Sequence, residues 1–240
     1  MSVYNDKFRK ARRDYSPYLF HFINGDDNDP MKTMTTILAE LKLKSRNEYI
    51  CFSASPLTSI GGFFDVIVNR TGKPMYQPYG IGFSRDILVR NFGARNVIYF
   101  DENESEFIQD ELKWRALRLN VDNYDFEYLR EWRIKGSEFD FSGFPKEHLI
   151  VVAPDINKLN DLVISHDVEF NPIVDYINGD FTPDWDEVFK REWKGITVDS
   201  AKNFIDDFVI SANTVTQRIG QDMLDELIAC SSFYIGTRKK

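Results

Sequence analysis

Short apolar segments bounded by turn-forming residues constrain the fold of this chain more than any other feature of its sequence. Apolar runs of about four to eight residues between turns are typical of buried strands. The 20 phenylalanines and 11 tyrosines also favour strands and aromatic-lined clefts over a helical bundle. The sequence therefore predicts a core built on a β-sheet. The strand candidates are YLFHFI at 18–23, EYICFSASPL at 48–57, YGIGFS at 79–84, NVIYF at 96–100 and HLIVVAP at 148–154.

Amphipathic helices are predicted between and after these strands. The apolar residues of segment 31–45 recur at 31, 34, 37, 38 and 41, which is the spacing of one helix face. Segment 85–93 reads as a short helix that is closed by Gly93. Segments 104–119 and 155–165 are predicted as helices as well. Strands and helices in this order indicate an α+β fold.

The character of the sequence changes after Pro154. Residues 170–197 combine turns with another predicted helix, and residues 200–236 read as one or two amphipathic helices. We therefore predict two parts. Residues 1–154 form an α+β core with flanking helices, and residues 155–240 form a helical C-terminal extension packed on that core.

The charge and the cysteines limit the classes of protein to which the chain can belong. A net charge of −8 gives no overall attraction to nucleic acid, so such binding needs a local basic patch. Cys51 and Cys230 form neither a disulfide framework nor a metal-ligand spacing, which fits a reducing compartment. The first 18 residues lack an apolar signal core, and no run approaches the ~20 apolar residues of a membrane span. We expect a cytoplasmic protein with no membrane segment and no metal.

The first two strand candidates carry polar residues that suit a binding site. His21 either bonds backbone in the core or serves as hydrogen-bond donor and acceptor for a ribose hydroxyl. Ser53 and Ser55 alternate, so both face one side, where they cap the strand end or position an acid or a ribose. Gly80 and Gly82 lack the third glycine of a dinucleotide-binding fingerprint, which excludes a Rossmann fold.

Segment 128–136, YLREWRIKG, places a carboxylate between two arginines. On a strand Glu127 and Glu131 point the same way about 13 Å apart, too far for a glycosidase pair. A single strand-borne glutamate suits a reaction with a cationic transition state. Arg130 and Arg133 either pair with phosphates or neutralise local acids, and a solvated charge ladder on an edge strand is the alternative. If Glu131 is exposed or faces a cleft, its contribution to folding is ~1 kcal/mol or less.

The order and spacing of these segments resemble those of AbiGi-like abortive phage-resistance proteins over residues 18–152. That family is similar in layout to ADP-ribosyltransferase-like toxins, including the DarT type. The resemblance implies an α+β fold in which a mixed β-core is split and flanked by helices. The segments that carry it are YLFHF, TILAELKLKS, YICFSASPL, YGIGFSRDILVRNFGARNVIYF and EYLREWRIKG.

The resemblance also implies roles for individual residues. His21 matches the first-strand residue that touches the NAD ribose, and Glu131 matches the glutamate of the late strand. Tyr76 or Tyr79 stacks on nicotinamide, and Arg85 meets a phosphate.

The activity implied by the resemblance is an NAD-dependent ADP-ribosyltransferase that acts in phage defence. NAD is then a substrate, and the acceptor is a macromolecule, nucleic acid ahead of protein. Glu127 remains the alternative to Glu131 as the catalytic acid. Some members of the family are treated as antitoxins, so the second hypothesis is a non-catalytic binding protein, an antitoxin or a sensor, on the same fold. An antitoxin or a chaperone is an implied partner.

Overall fold

The structure, a computed structural model, describes residues 15–60, 64, 72–119, 126–170, 173–175, 177–178, 180–182, 185–191 and 193–200. Its strands are β1 (Tyr18–Asn24), β2 (Lys42–Lys44), β3 (Tyr49–Ser53), β4 (Tyr76–Ser84), β5 (Arg95–Asn96), β6 (Ile98–Phe100), β7 (Ala116–Arg118), β8 (Glu131–Lys135), β9 (Glu138–Asp140), β10 (Leu149–Ala153), β11 (Ile164–Phe170), β12 (Ile173–Asp175), β13 (Asp180–Thr182), β14 (Trp185–Arg191) and β15 (Lys194–Thr197). Its α-helices are α1 (Pro30–Glu40), α2 (Leu57–Ile60), α3 (Arg85–Asn91) and α4 (Ile156–Val163). Single-turn and two-turn 3-10 helices lie at Glu102–Phe107, Asp110–Arg115, Glu127–Leu129 and Lys146–His148.

A seven-stranded sheet in the order β15-β10-β4-β1-β3-β8-β5 organises the molecule. Its neighbours pair antiparallel except β10 and β15, which are parallel. Two-stranded ladders join β2 to β9, β6 to β7, β11 to β14 and β12 to β13. The predicted α+β class is therefore confirmed at the level of a mostly antiparallel central sheet with few helices.

The hydrophobic core lies on one face of this sheet. Successive side chains of a strand project to opposite faces, so alternate residues of each strand contribute to it. Helices α1 and α4 cover this face through Met34 and Leu159, which are fully buried. The Phe83 ring packs edge-on against Phe141 and Phe144, with ring centroids 5.3 Å apart in both pairs. Each buried phenylalanine contributes about 1.5–3 kcal/mol to folding.

Two glycines of β4 shape the opposite face. Gly80 lies across from Phe22 and Gly82 across from Phe20 in the β1–β4 ladder. A Cβ at Gly82 would lie 2.6 Å from the Phe20 ring, and one at Gly80 would lie 2.6 Å from the His21 carbonyl oxygen. The two glycines therefore provide the space in which the β1 aromatic rings lie against the sheet.

The contact between β1 and β3 is short, and we call it the β1–β3 seam. Within the described residues its backbone pairing consists of Phe20 opposite Ser53, whereas β1 pairs with β4 along most of its length. Next to this pair the His21 imidazole nitrogen Nδ1 lies 2.8 Å from the Cys51 carbonyl oxygen. A side chain thus takes the place of a backbone donor in the middle of the central sheet.

The helix predicted at 104–119 is wrong. The chain there forms the 3-10 helices Glu102–Phe107 and Asp110–Arg115, followed by β7, which pairs parallel with β6. Asp101 caps the first of them with its side chain. The Phe107 side chain is 74% exposed, so the apolar face that would stabilise a longer helix finds little to pack against.

The C-terminal part is also less helical than predicted within the residues that the structure describes. Helix α4 agrees with the prediction for 155–165, but β11 to β15 follow instead of turns and a helix. Residue pairs from Ile164 with Arg191 to Phe170 with Trp185 form one continuous antiparallel ladder. Strand β15 pairs with β10 and so adds an edge strand to the central sheet. The helices predicted beyond 200 lie outside the described residues.

In the part of the chain that the structure describes, no helix combines the length and the apolar character needed to cross a membrane.

Candidate functional site

A cleft of about 260 Å³ lies at the β1–β3 seam. Strands β1, β3, β4 and β8 all contribute residues to its lining. Four residues singled out in the sequence line it together: His21, Ser53, Tyr76 and Glu131. Aromatic rings make up much of the remaining lining, with Phe20, Phe22, Tyr49 and Phe126 among them.

The chain enters β8 through a left-handed turn. Glu127–Leu129 is a 3-10 turn and β8 begins at Glu131, so Glu127 and Glu131 do not lie on one continuous strand. Arg130 has φ 47° and ψ 55°, a conformation that a residue with a side chain adopts at a cost of about 1–2 kcal/mol. The turn separates the two candidate acids. Glu131 lines the cleft, whereas Glu127 is exposed and is absent from its lining.

The hydroxyl groups of Ser53 and Ser55 hold this turn in place. Ser53 Oγ donates to the Leu129 carbonyl oxygen at 2.8 Å, and the Ala54 amide donates to the same oxygen at 3.1 Å. Ser55 Oγ donates to the Tyr128 carbonyl oxygen. Both serines are buried. Ser53 therefore lines the cleft but uses its hydroxyl hydrogen to fix the backbone at Leu129, two residues before Glu131.

A buried ion pair sits on the cleft side of β8. Arg133 Nε donates to Glu131 Oε1 at 2.7 Å, and the two side chains are 4% and 10% exposed. Arg133 Nη1 donates to the carbonyl oxygens of Trp114 and Ala116 at 2.9 and 3.3 Å. The guanidinium also lies 3.9 Å from the centre of the Tyr49 ring. Contacts on several sides therefore fix the arginine, and the arginine in turn fixes the carboxylate.

His21 sits within the β1–β3 seam itself. A carbonyl oxygen only accepts hydrogen bonds, so Nδ1 carries the hydrogen in the bond to Cys51. Burial lowers the pKa of His21 below its ordinary 6.5, while the bond to the Cys51 carbonyl acts in the opposite direction. The imidazole is therefore neutral near pH 7, which leaves Nε2 as a hydrogen-bond acceptor.

The two candidate tyrosines lie on opposite faces of β4. Tyr76 contributes to the cleft, where its ring centroid is 6.3 Å from that of Phe22. Burial is the main cause that raises the pKa of Tyr76, with Tyr128 and Glu131 adding to it. Tyr79 instead belongs to the hydrophobic core, three residues further along the strand. Strand alternation thus places Tyr76, and not Tyr79, beside the other site residues.

Arg85 lies away from the cleft. Its guanidinium carbon lies over two aromatic rings, 4.8 Å from the centre of the Tyr15 ring and 4.6 Å from that of Trp132. Trp132 alternates with Glu131 and Arg133 along β8, so it projects from the opposite face of the sheet. The expectation that Arg85 meets a phosphate in the same site as Glu131 does not fit this position.

Tyr49 and Cys51 are cleft residues that the sequence analysis missed. They alternate with Ser53 along β3, so the alternation that relates Ser53 to Ser55 contains the signal that would have found them. Burial and then the neighbouring Glu131 carboxylate raise the pKa of the Cys51 thiol. Burial also raises the pKa of Tyr49, against the effect of the Arg133 charge. Cys51 is therefore a neutral thiol and a poor nucleophile, because the thiolate is the reactive form.

The arrangement suits a ligand with a planar ring and a developing positive charge. Aromatic walls accommodate an uncharged ring by stacking or edge contact. A carboxylate that is already oriented stabilises positive charge at a fixed position without reorganising. Within the described ranges, no group of three or more histidine, cysteine, aspartate and glutamate side chains is placed to hold a metal ion.

Comparison of the chain with protein-family models, with curated proteins and with solved structures finds no match.

Proposed function

We propose that the protein is an NAD-dependent ADP-ribosyltransferase that acts as an effector of phage defence. It transfers ADP-ribose from NAD to a macromolecule, nucleic acid ahead of protein. The observation that carries this proposal is the meeting of His21, Tyr76 and Glu131 around one cleft at the β1–β3 seam. His21 and Glu131 are 110 positions apart in the sequence, so only the fold brings them together.

The cleft is large enough to enclose only part of an NAD molecule. Clefts that enclose drug-sized ligands span about 300–1,000 Å³. A cleft of about 260 Å³ suits the nicotinamide and its ribose better than the whole dinucleotide. The adenosine half then extends from the cleft mouth, where exposed Asn47 lies.

The reaction breaks the bond between C1′ of the ribose and the nicotinamide nitrogen. The bonding electron pair leaves with nicotinamide, which departs as a neutral molecule, and positive charge builds on the ribose. The Glu131 carboxylate stabilises this charge. A nitrogen or oxygen atom of the acceptor then bonds to C1′ and releases its proton to water. His21, neutral and with Nε2 as acceptor, receives a hydrogen bond from a ribose hydroxyl.

Incubation of the protein with labelled NAD and either bacterial nucleic acid or cell lysate tests the proposal. Release of nicotinamide together with label on a macromolecule would support it, and the labelled fraction identifies the class of acceptor. No NAD consumption with any acceptor would refute it.

Glu131→Gln is the informative variant. It preserves size and an acceptor for Arg133 but removes the negative charge, so NAD should still bind while turnover falls at least ~100-fold. Because Glu131 and Arg133 form a buried pair, Glu131→Gln should lower the free energy of unfolding by about 1–3 kcal/mol, more than the ~1 kcal/mol or less of an exposed carboxylate. Glu127→Gln is the matched control, since Glu127 is exposed, and it should retain turnover. The opposite pattern would move the catalytic role to Glu127.

A binding protein without catalysis is the second candidate, and two hydrogen bonds within the cleft favour it. Glu131 pairs with Arg133, and His21 bonds a backbone carbonyl, so both have structural partners. Both hypotheses expect Glu131→Gln to lower stability, but under this one neither the native protein nor the variant consumes NAD. NAD turnover therefore separates the two functions, and melting of the same samples shows that each protein is folded.

A further inference from the structure

We infer that Arg133 is the positioning residue of the site: braced by the Tyr49 ring and by the backbone of residues 114–116, it holds the Glu131 carboxylate at the cleft wall. The inference rests on the proposed function where it concerns turnover. The energetic coupling between Arg133 and Glu131 is inferred from their geometry alone and does not depend on the proposed function.

The guanidinium of Arg133 bonds the Glu131 carboxylate with one nitrogen and backbone carbonyls with another. Nε donates to Glu131 Oε1, whereas Nη1 donates to the carbonyl oxygens of Trp114 and Ala116. The pair is thus joined through Nε and one carboxylate oxygen rather than through both tips of the guanidinium fork. Glu131 lines the cleft together with Cys51, and its carboxylate also interacts with the Cys51 thiol. Arg133 therefore fixes the carboxylate at the cleft wall, with the neutral thiol beside it.

The Tyr49 ring supports the other side of the guanidinium. The centre of the ring is 3.9 Å from the guanidinium carbon, which is within the range of a cation–π contact. Tyr49 lines the same cleft, and it lies on β3 beside β8. The brace therefore extends across two neighbouring strands and the 3-10 helix Asp110–Arg115.

A lysine cannot reproduce these contacts. Its single ammonium group lacks a planar face for Tyr49 and lacks separate donors at the positions of Nε and Nη1. Arg133→Lys therefore keeps the charge and removes the bracing. Arg95→Lys is a matched control, because Arg95 lies opposite Arg133 in the β5–β8 register, is exposed, bonds the carbonyls of Val89 and Ala94, and is absent from the cleft lining.

The experiment is a double-variant cycle of Arg133→Lys and Glu131→Gln, with melting temperature, kcat and KM for NAD measured on each full-length protein. We expect Arg133→Lys to lower kcat on the order of 100-fold, the scale of a 1 Å misplacement, with a smaller change in KM. In the Glu131→Gln background the same substitution should lower the remaining kcat less than about 3-fold, since residues that act as a unit are non-additive. Arg95→Lys should retain the native kcat.

Additive losses of kcat, or an Arg133→Lys variant with native kcat, would overturn the inference while leaving the proposed function intact. If the native protein consumes no NAD, the proposed function fails and the melting temperatures decide: non-additive shifts support the positioning role, and additive shifts refute it.

A second pair of variants covers the case in which Arg133→Lys does not fold. Tyr49→Phe keeps the ring under the guanidinium, and Tyr49→Leu removes it. The inference requires a lower kcat, or without turnover a lower melting temperature, for Tyr49→Leu than for Tyr49→Phe. Equal values for the two variants would contradict it.

Discussion

Replacing His21 tests whether the imidazole is a structural bridge, a ligand contact or both. His21→Ala leaves the Cys51 carbonyl oxygen without the donor that now lies 2.8 Å away, at a cost of about 1–3 kcal/mol. For a chain of this length each kcal/mol lowers the melting temperature by about 2–4 °C, so a decrease of about 2–12 °C follows. His21→Asn retains a donor at the position of Nδ1, because both nitrogens are bonded to Cγ, and should recover most of that loss.

The acid side of the stability curve gives the second part of this test. Because burial lowers the pKa of His21 in the folded state, the unfolded chain binds the proton first as the pH falls. The stabilisation that the neutral His21 gives the folded state is therefore fully present above pH 6.5. It is lost as the pH falls from 6.5 toward the lowered pKa of the folded state. His21→Asn has no such proton, so its stability should change less with pH in this window than that of the native protein.

Thermal melts at several pH values between 5 and 8, together with an NAD-binding assay, separate the possible roles. A ligand contact requires weaker NAD binding in His21→Asn even where stability is recovered. His148→Asn, at an exposed histidine, controls for the loss of any histidine and should shift stability by less than ~0.5 kcal/mol. Native melting of His21→Ala, or an unchanged acid response of His21→Asn, would refute the structural reasoning.

Two further predictions concern the backbone around the cleft. Arg130 lies in the left-handed region of backbone conformation, which a β-branched residue disfavours. In denaturant melts the free energy of unfolding of Arg130→Val should therefore be about 1–2 kcal/mol lower than that of Arg130→Gly. Equal stabilities would contradict the turn geometry. A Cβ at Gly80 would lie 2.6 Å from the His21 carbonyl oxygen, so Gly80→Ala should lower the free energy of unfolding by about 1–3 kcal/mol. A Cβ at Gly143 would meet no atom within 4 Å, so Gly143→Ala is the control and should be nearly neutral in the same melts.

The local pattern of the sequence predicted those features that depend on neighbours in the chain. Alternation along β8 is such a feature, since it places Trp132 against the core and Glu131 and Arg133 on the cleft side. The same rule would have chosen between Tyr76 and Tyr79 had β4 been started at Tyr76 rather than three residues later.

Features that depend on distant partners could not be predicted in this way. Ser53 bonds a carbonyl 76 positions away, and His21 bonds one that is 30 positions away. Nothing in the serine pattern indicates that a backbone turn, rather than a ligand, is its partner. The helix predicted at 104–119 failed for a related reason: periodicity shows that an apolar face exists, but only the fold determines whether another surface covers it.

In the strand order of the central sheet, the β1–β3 seam lies between β15, β10, β4 and β1 on one side and β3, β8 and β5 on the other. Tyr76 and Phe22 lie on strands of the first group, and Glu131 and Tyr49 lie on strands of the second. A molecule bound in the cleft therefore contacts strands on both sides of the seam. Because only the assembled sheet offers these contacts together, such a molecule should stabilise the folded protein against unfolding.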